Sequence, residues 1–120
     1  MKIAITAKGD SLDSQVDSRF GRATKFIVFD TDKNDFCVIE NLQNLNAAQG
    51  AGIQSAQSVV ASGAEYVITG HCGPKAFRVL RAADVKVILE CSGTVGKALD
   101  KFSAGELNLC DSPDVESHWL

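Results

Sequence analysis

The segment from Glu65 to Leu89 constrains the fold most, because it predicts a strand, a helix and a second strand in succession. Glu65–Thr69 is an apolar run typical of a buried strand, and apolar residues at helical spacing follow from Pro74 to Ala83. A second apolar run, Asp84–Leu89, comes directly after this helix. Two strands joined by a helix within one sheet are parallel with a right-handed crossover. The segment therefore predicts an α/β fold.

The first 40 residues add a strand and a hairpin to this unit. Alternating apolar residues predict a strand at Lys2–Ala7, which is followed by the polar loop Lys8–Arg22. Two further strands, Lys25–Thr31 and Asp35–Glu40, flank a turn and form the hairpin. We expect the first strand to lie parallel to the later pair and the second strand to run antiparallel to it. The result is a mixed five-stranded sheet.

The remaining segments predict helices that cover this sheet. Residues at helical spacing run from Ala51 to Gly63, where the glycine is typical of a C-terminal cap. A third helix is predicted at Thr94–Phe102, with Thr94 as its N-cap. The polar stretch Asn41–Gln49 is a loop, and Leu107–Leu109 is expected to form a short last strand.

Length and charge limit the classes of function. The 120 residues are expected to form a single domain, 1–120, with a substantial core. The net charge of −3, with both signs interspersed, does not favour nucleic acid or an anionic membrane as a partner. The apolar runs are too short to span a bilayer, and the first residues lead directly into a strand instead of a signal peptide. We expect a cytoplasmic protein.

The four cysteines form no C-x-x-C pair, which disfavours a zinc ribbon, a thioredoxin-like centre or a disulfide framework.

Loops that follow the strands predict a binding crevice. In open sheets of this kind, ligands bind beyond the carboxyl ends of the parallel strands. Four segments are expected to converge there: Lys8–Arg22, Asn41–Gly52, Thr69–Lys75 and Glu90–Thr94. The three helix starts are expected to point into the same crevice and to favour an anion. The candidate site residues on these segments are Arg19, Arg22, Gly50, Gly52, Gly70, His71, Cys72, Gly73, Lys75, Cys91 and Ser92.

Three of these residues are candidate metal ligands. Cys72 lies at a helix start, where the thiolate is favoured, and a thiolate suits copper or iron–sulfur units. The alternative is a small buried residue that packs the turn. His71 would bind metal or donate a hydrogen bond to a sulfide, or it is a loop histidine facing solvent. Cys91 is either a second thiolate or a core residue at a strand end.

The basic residues and the other cysteines have competing interpretations as well. Arg19, Arg22 and Lys75 would form a cationic rim for an anion, whereas a structural ion pair with Asp13 or Asp17 is the alternative for the two arginines. The glycines also have a purely conformational interpretation as residues of tight turns. The remaining candidates are expected to be structural, with Cys37 in the core: Cys37, Cys110 and His118.

Three blocks of the sequence resemble a known family. The first is Asp17–Ala23 with its F-G-R-A box, the second is Gly50–Gln57, and the third is Gly70–Ala83 with its spaced glycines and Pro74. The closing segment Val115–Trp119 also looks like the tails of that family. These blocks resemble the dinitrogenase iron–molybdenum cofactor biosynthesis family over nearly the whole chain. Two departures are Gln49, where many members have histidine, and His71-Cys72 in a variable pair.

The resemblance implies a fold and a function. The implied fold is a ribonuclease-H-like three-layer α/β sandwich. The implied function is a non-catalytic carrier or storage protein for an anionic metal–sulfide cluster. The cluster would be of the molybdenum–copper type, as in the orange proteins of that family, or of the iron–molybdenum type. The implied partners are the inorganic cluster and other cluster-assembly or ATPase proteins, with the chain a monomer or weak dimer.

Two other classes of function remain open from the sequence. A nucleotide- or phosphate-binding regulator would use the same glycine-rich helix starts, although no Walker lysine pattern or G-x-G-x-x-G is present. A metal-dependent nuclease would need clustered carboxylates at the strand ends. The strand ends instead carry His71, Cys72 and Cys91, so the nuclease ranks lowest.

From the sequence alone, we expect Cys72→Ser to weaken cluster retention more than Cys37→Ser or Cys110→Ser, because only Cys72 lies on a helix-start loop. Each variant would be reconstituted with tetrathiomolybdate and copper, and the bound metal measured after gel filtration. Equal retention by the three variants would contradict thiolate ligation by Cys72.

Overall fold

A computed structural model describes residues 1–41 and 51–110. Within these residues the chain forms a five-stranded sheet, three α-helices and one 3₁₀ turn. The strands are β1 (Lys2–Ala7), β2 (Lys25–Asp30), β3 (Asp35–Glu40), β4 (Tyr66–Ile68) and β5 (Lys86–Ile88). The helices are α1 (Ala51–Ala61), α2 (Pro74–Ala82) and α3 (Val95–Ser103), and the 3₁₀ turn is Phe20–Arg22.

The sheet has the strand order β3-β2-β1-β4-β5. The hairpin is confirmed: β2 and β3 pair antiparallel from Lys25 opposite Glu40 to Asp30 opposite Asp35. Asn34 in the connecting turn has a φ of 52°, a conformation that asparagine adopts more readily than most residues. β1 is antiparallel to β2 and parallel to β4, and β4 is parallel to β5. The mixed five-stranded sheet predicted from the sequence is therefore confirmed.

Helices cover both faces of the sheet. On one face Ala4 and Val67 pack with apolar residues of α1 and α2, such as Val59 and Leu80. On the other face the strands pack against residues of α3 that include Leu99. The period-two alternation of each strand separates these two clusters. None of the helices in the described residues is long and apolar enough to cross a membrane. The ribonuclease-H-like classification stays a prediction.

Three expectations need correction or completion. The loop before β2 contains a 3₁₀ turn that was not predicted. The strand expected at Leu107–Leu109 is wrong: this segment is irregular, and only Cys110 beyond it bonds to β5, through its N–H to the Val87 oxygen at 2.9 Å. Cys37 is exposed, not in the core, because it lies on the edge strand β3. The expectations for Gln49, Gly50, His118 and Val115–Trp119 lie outside the described residues.

A buried polar network secures the 3₁₀ turn against α1. The Asn41 side-chain amide donates to the Ala23 oxygen at 2.8 Å, and its carbonyl accepts from the Ser55 hydroxyl at 2.9 Å. Ser55 is fully buried, and Asn41 is 9% exposed. Because a buried polar group without a partner costs the full desolvation penalty, each group here depends on the other. The network fixes the end of β3 and the 3₁₀ turn relative to α1.

We expect Asn41→Ala to lower the free energy of unfolding by about 2 kcal/mol, since it leaves the Ser55 hydroxyl and the Ala23 carbonyl without this partner. Urea denaturation measures the change. The matched control is Asn108→Ala at an exposed position, with an expected change within about 0.5 kcal/mol. Equal stability of the two variants would contradict a stabilising role for the network.

Candidate functional site

The loop Lys8–Arg19 crosses the carboxyl ends of the three parallel strands. The Asp17 N–H donates to the oxygen of Thr6 on β1 at 2.9 Å. Beyond β5, the Val16 N–H donates to the Gly93 oxygen at 2.8 Å. Beyond β4, the Ser18 oxygen accepts from the His71 N–H at 2.8 Å, and Arg19 forms an isolated parallel bridge with His71. Backbone hydrogen bonds therefore bring three of the four predicted segments together.

Two buried threonines support this arrangement from below. The Thr6 hydroxyl lies 2.7 Å from the Asp17 oxygen and 2.9 Å from the Thr69 hydroxyl, and both threonines are fully buried. The hydrogen bonds offset the cost of burying hydroxyls in an otherwise apolar layer. The ends of β1 and β4 are thereby tied to each other and to the loop.

Gly70 permits the close approach of two backbone segments. A Cβ atom added at Gly70 would lie 2.6 Å from the oxygen and 2.7 Å from the Cα of Ser18. Its own oxygen accepts from the Glu90 N–H at 2.7 Å, so the residue is enclosed by both neighbouring loops. Glycine is required here because any side chain would collide with the Ser18 backbone. Its φ is not in the left-handed region, so backbone conformation is not the reason.

Exposed basic side chains lie on the crossing loop, at the end of the 3₁₀ turn and in the first turn of α2. Arg19 is exposed beside the half-buried His71, and Lys75 is exposed in the first turn of the helix. Arg22, at the end of the 3₁₀ turn, is also exposed, and this turn lies on the α1 side, where the Ser55 hydroxyl lies 3.5 Å from the Gly21 oxygen. Within residues 1–41 and 51–110, salt bridges join Met1 to Asp32 and Lys25 to Glu40, and the Arg19 backbone N–H donates to the Asp17 carboxylate at 3.3 Å.

The helix starts differ in whether their N–H groups are already used. Gly73 is the N-cap of α2, provides no side-chain cap, and is followed by Pro74. At the start of α3, by comparison, the N–H groups already have acceptors within the protein. The Thr94 hydroxyl accepts from the Lys97 N–H, and the N–H groups of Val95 and Gly96 donate to oxygens of the Lys8–Arg19 loop at 2.9 and 2.8 Å. The expectation that all three helix starts point into the crevice is therefore wrong for α3.

The structure separates the two candidate thiolates. Cys72 is fully buried in the cluster that includes Phe20 and Phe77, where its sulfur lies 3.6 Å from the Gly73 oxygen. Cys91 packs against the cluster on the opposite face of the sheet. Partial burial raises the pKa of the Cys91 thiol, so the sulfur stays protonated at neutral pH. The described residues contain no group of three histidine, cysteine or carboxylate side chains that could hold a metal ion.

The other predicted residues lie on both sides of the crossing loop. Gly70, His71 and Gly73 belong to the segment before α2, and Gly52 is buried in the first turn of α1. Ser92 is exposed next to Gly93, on the α3 side of the loop. The fourth predicted segment is described only at its borders.

The sequence interpretation missed four residues that position the site: Thr6, Thr69, Asn41 and Ser55. Each is polar and buried, and each forms a hydrogen bond that joins two segments bordering the site. A signal was present for Thr6, which stands between Ile5 and Ala7 in an apolar strand. The signal for the pair Asn41 and Ser55 is weaker, because their contact joins segments 14 residues apart.

Fold and site together define a small α/β protein whose loops gather cationic side chains and one uncapped helix start at the ends of parallel strands. The chain belongs to the family described as dinitrogenase iron-molybdenum cofactor, whose family model matches residues 1–105. The resemblance seen in the sequence blocks is thereby confirmed. Among curated proteins, an uncharacterized protein of Methanocaldococcus jannaschii is 26% identical over 109 residues, 89% of each chain.

Two solved structures are similar over almost the whole chain. The apo form of the orange protein from Desulfovibrio gigas has a TM-score of 0.90 and 39% identity, covering 95% of this chain and 96% of that one. A putative NifB protein from Thermotoga has a TM-score of 0.82 and 40% identity, covering 97% of this chain and 98% of that one. Both proteins are similar to this chain in fold and in sequence.

We expect Gly70→Ala to destabilise the protein by about 3 kcal/mol, because the added methyl group meets backbone atoms of Ser18 that cannot rotate away. Thermal or urea unfolding measures the loss. Gly9→Ala is the control, in the Lys8–Arg19 loop that contains Ser18: its Cβ would meet the Ser14 hydroxyl at 2.5 Å, a group that can turn aside. A Gly70→Ala protein as stable as Gly9→Ala would contradict the close approach.

Proposed function

We propose that the chain is a non-catalytic carrier or storage protein, acting as one domain, that binds an anionic metal–sulfide cluster beside the start of α2. The observation that carries the proposal is the pairing of the Lys8–Arg19 loop with the segment before α2. That pairing brings Arg19 and His71 next to a helix start that has no side-chain cap. Family membership supports the cluster as the cargo.

The donor set favours an anion held by charge and hydrogen bonds. Arg19, Arg22 and Lys75, together with Lys8, contribute four positive charges, and the same segments carry four carboxylates, Asp10, Asp13, Asp17 and Glu90. The net local charge is therefore small, and long-range attraction to a cluster is weak. A helix N-terminus adds a partial positive charge and N–H donors that act only at short range. Binding then depends on direct contact with the arginines, the lysine and the helix start.

The buried position of Cys72 argues against a role as a metal ligand in this conformation. Its sulfur would have to leave an apolar cluster before it could bind a metal. The comparison of Cys72→Ser with Cys37→Ser consequently needs a correction for stability, because a serine hydroxyl in that cluster destabilises the fold. The bound metal is therefore to be expressed per mole of folded protein. His71, half-buried beside Arg19, is the residue we propose as a donor to a cluster sulfide or as a metal ligand.

The type of cluster is proposed from the relatives. The solved apo form of an orange protein has a higher TM-score with this chain, 0.90, than the putative NifB protein, 0.82, at nearly equal identity, and on this ground we prefer the molybdenum–copper sulfide type, which the family resemblance attributes to orange proteins, over the iron–molybdenum type. Cluster-assembly or ATPase proteins are the proposed partners in delivery. A phosphate- or nucleotide-binding regulator is the second candidate, because the uncapped start of α2 also suits a phosphate.

We expect Arg22→Ala and Lys75→Ala each to weaken retention of a reconstituted molybdenum–copper sulfide cluster about tenfold, the loss for a charge-assisted contact of about 1.4 kcal/mol. Visible absorbance after gel filtration measures the retained cluster. Raising the salt concentration is expected to weaken cluster retention moderately in the wild-type protein and less in these variants. The reason is that salt screens the attraction of exposed charges within about 10 Å at 0.1 M.

Lys101→Ala is the matched control, because it removes an equal charge from an exposed position in the last turn of α3. The competition arm adds inorganic phosphate or ATP to the loaded protein. If neither Arg22→Ala nor Lys75→Ala differs from Lys101→Ala, the cationic site is not where the cluster binds. Displacement of the cluster by phosphate at low concentration would favour the regulator instead.

A further inference from the structure

Within the described residues, the face of the sheet that packs against α3 is covered by this one helix together with Leu12, Val16 and Leu107. Five strands spaced about 4.8 Å apart span about 19 Å, whereas one helix with its side chains is about 10 Å wide. The opposite face carries both α1 and α2, but this face carries α3 alone among the described helices. The strands of the β2–β3 hairpin therefore lie beside a position that a second helix would occupy.

At this position a groove lies between α3 and the β2–β3 hairpin. It has a volume of about 540 Å³ and is open to solvent along its length. Phe29 and Phe36, which lie opposite each other on β2 and β3, are only half-buried, and Val38 on the same face is 37% exposed. The residues that matter for the inference are Leu12, Phe29, Asp35, Phe36, Leu99 and Asp100.

Two carboxylates add a negative charge to this apolar groove. Asp35 begins β3, and Asp100 lies on α3. One Asp35 oxygen accepts from the Phe36 N–H at 2.8 Å. Within residues 1–41 and 51–110, no salt bridge joins either carboxylate to a lysine or an arginine. The groove thus combines aromatic and aliphatic surface with carboxylates that have no cationic partner in this part of the chain.

We propose that this groove binds an amphipathic, basic helix of a partner protein. The apolar face of the helix would pack on Phe29, Phe36 and Leu99, and its lysine or arginine residues would pair with Asp35 and Asp100. The groove lies beside α3, where about 540 Å³ accommodates the side chains on one face of a helix, as in the helix-in-groove mode of recognition. The groove and the proposed cluster site use different side chains, although Leu12 of the Lys8–Arg19 loop lines the groove.

Charge argues against the two other candidate occupants. The chain's own C-terminal residues, 111–120, carry the three acidic residues Asp111, Asp114 and Glu116 and no lysine or arginine. A second copy of the chain brings a net charge of −3. The C-terminal residues would place like charges near Asp35 and Asp100, and a second copy has an overall charge of the same sign as the groove. A basic partner complements the groove, and electrostatic complementarity of this kind determines specificity and the rate of association.

Two synthetic helical peptides test the proposal with the full chain. Both have about 14 residues, or about four turns, with leucine on one face and either lysine or glutamate on the other. Binding is followed by NMR chemical-shift changes of the full-length protein. We expect the leucine–lysine peptide to shift Phe29, Phe36 and Leu99 and the leucine–glutamate peptide to have little effect.

Substitutions then distinguish the groove from non-specific attraction. We expect Asp100→Lys to weaken binding of the leucine–lysine peptide about tenfold and to strengthen binding of the leucine–glutamate peptide. The control Glu65→Lys changes the net charge equally at an exposed position outside the groove, and we expect less than about a twofold effect. Equal weakening by both substitutions, or no shift in the groove up to about 1 mM peptide, would overturn the proposal.

The same spectra identify the other occupants. Nuclear Overhauser contacts between the indole of Trp119 and Phe36 would assign the groove to the chain's own C-terminal residues. Concentration-dependent self-association that Phe36→Ser abolishes would assign it to a second copy. Either result would overturn the assignment to a basic partner helix.

Discussion

The site depends on the backbone hydrogen bonds between the Lys8–Arg19 loop and the ends of the parallel strands. A loop of this length without regular structure pays a large conformational entropy cost, which its bonds to Thr6, His71 and Gly93 offset. These bonds place Arg19 beside His71 and direct the chain into the 3₁₀ turn. The same loop also occupies the N–H groups at the start of α3. It therefore makes the N–H groups at the start of α3 unavailable to an anion.

Buried polar side chains hold this arrangement in place. The pair Thr6 and Thr69 lies beneath the loop, and the pair Asn41 and Ser55 lies behind the 3₁₀ turn. Each pair is stable only while both partners are present, since an orphaned buried hydroxyl or amide is costly. In the described residues, every buried side-chain polar atom has a partner. These bonds hold the backbone of the site in place before any ligand binds, which leaves chiefly the exposed arginine and lysine side chains to be ordered on binding.

The two sites proposed for the molecule use different physical interactions and lie in different places. At the strand ends, cationic side chains and a helix start favour a compact anion. Beside α3, an apolar groove with carboxylates favours a basic helix. This separation would allow both proposed ligands to bind at the same time. Both follow from the topology: the parallel strands gather loops at one edge, and the hairpin widens the sheet beyond the reach of one helix.

The sequence by itself determined the elements of this fold and their order. Alternation at β1, helical spacing in α2 and the βαβ segment each depend on residues close in the chain, so local patterns predicted the hairpin and the mixed sheet. The glycine after α1 was also predictable, and Gly63 has the expected positive φ of 83°. Family membership followed from ordered motifs.

Only the tertiary structure decided how the site residues relate to one another. Burial of Cys72 and its separation from Cys91 depend on which face of the sheet each residue meets after its strand has ended, where the period-two pattern no longer applies. The exposure of Cys37 followed from the strand order, because β3 lies at an edge. Closure of the α3 start required contacts with a loop about 80 residues earlier in the chain. Such pairings are long-range packing outcomes, which no local spacing encodes.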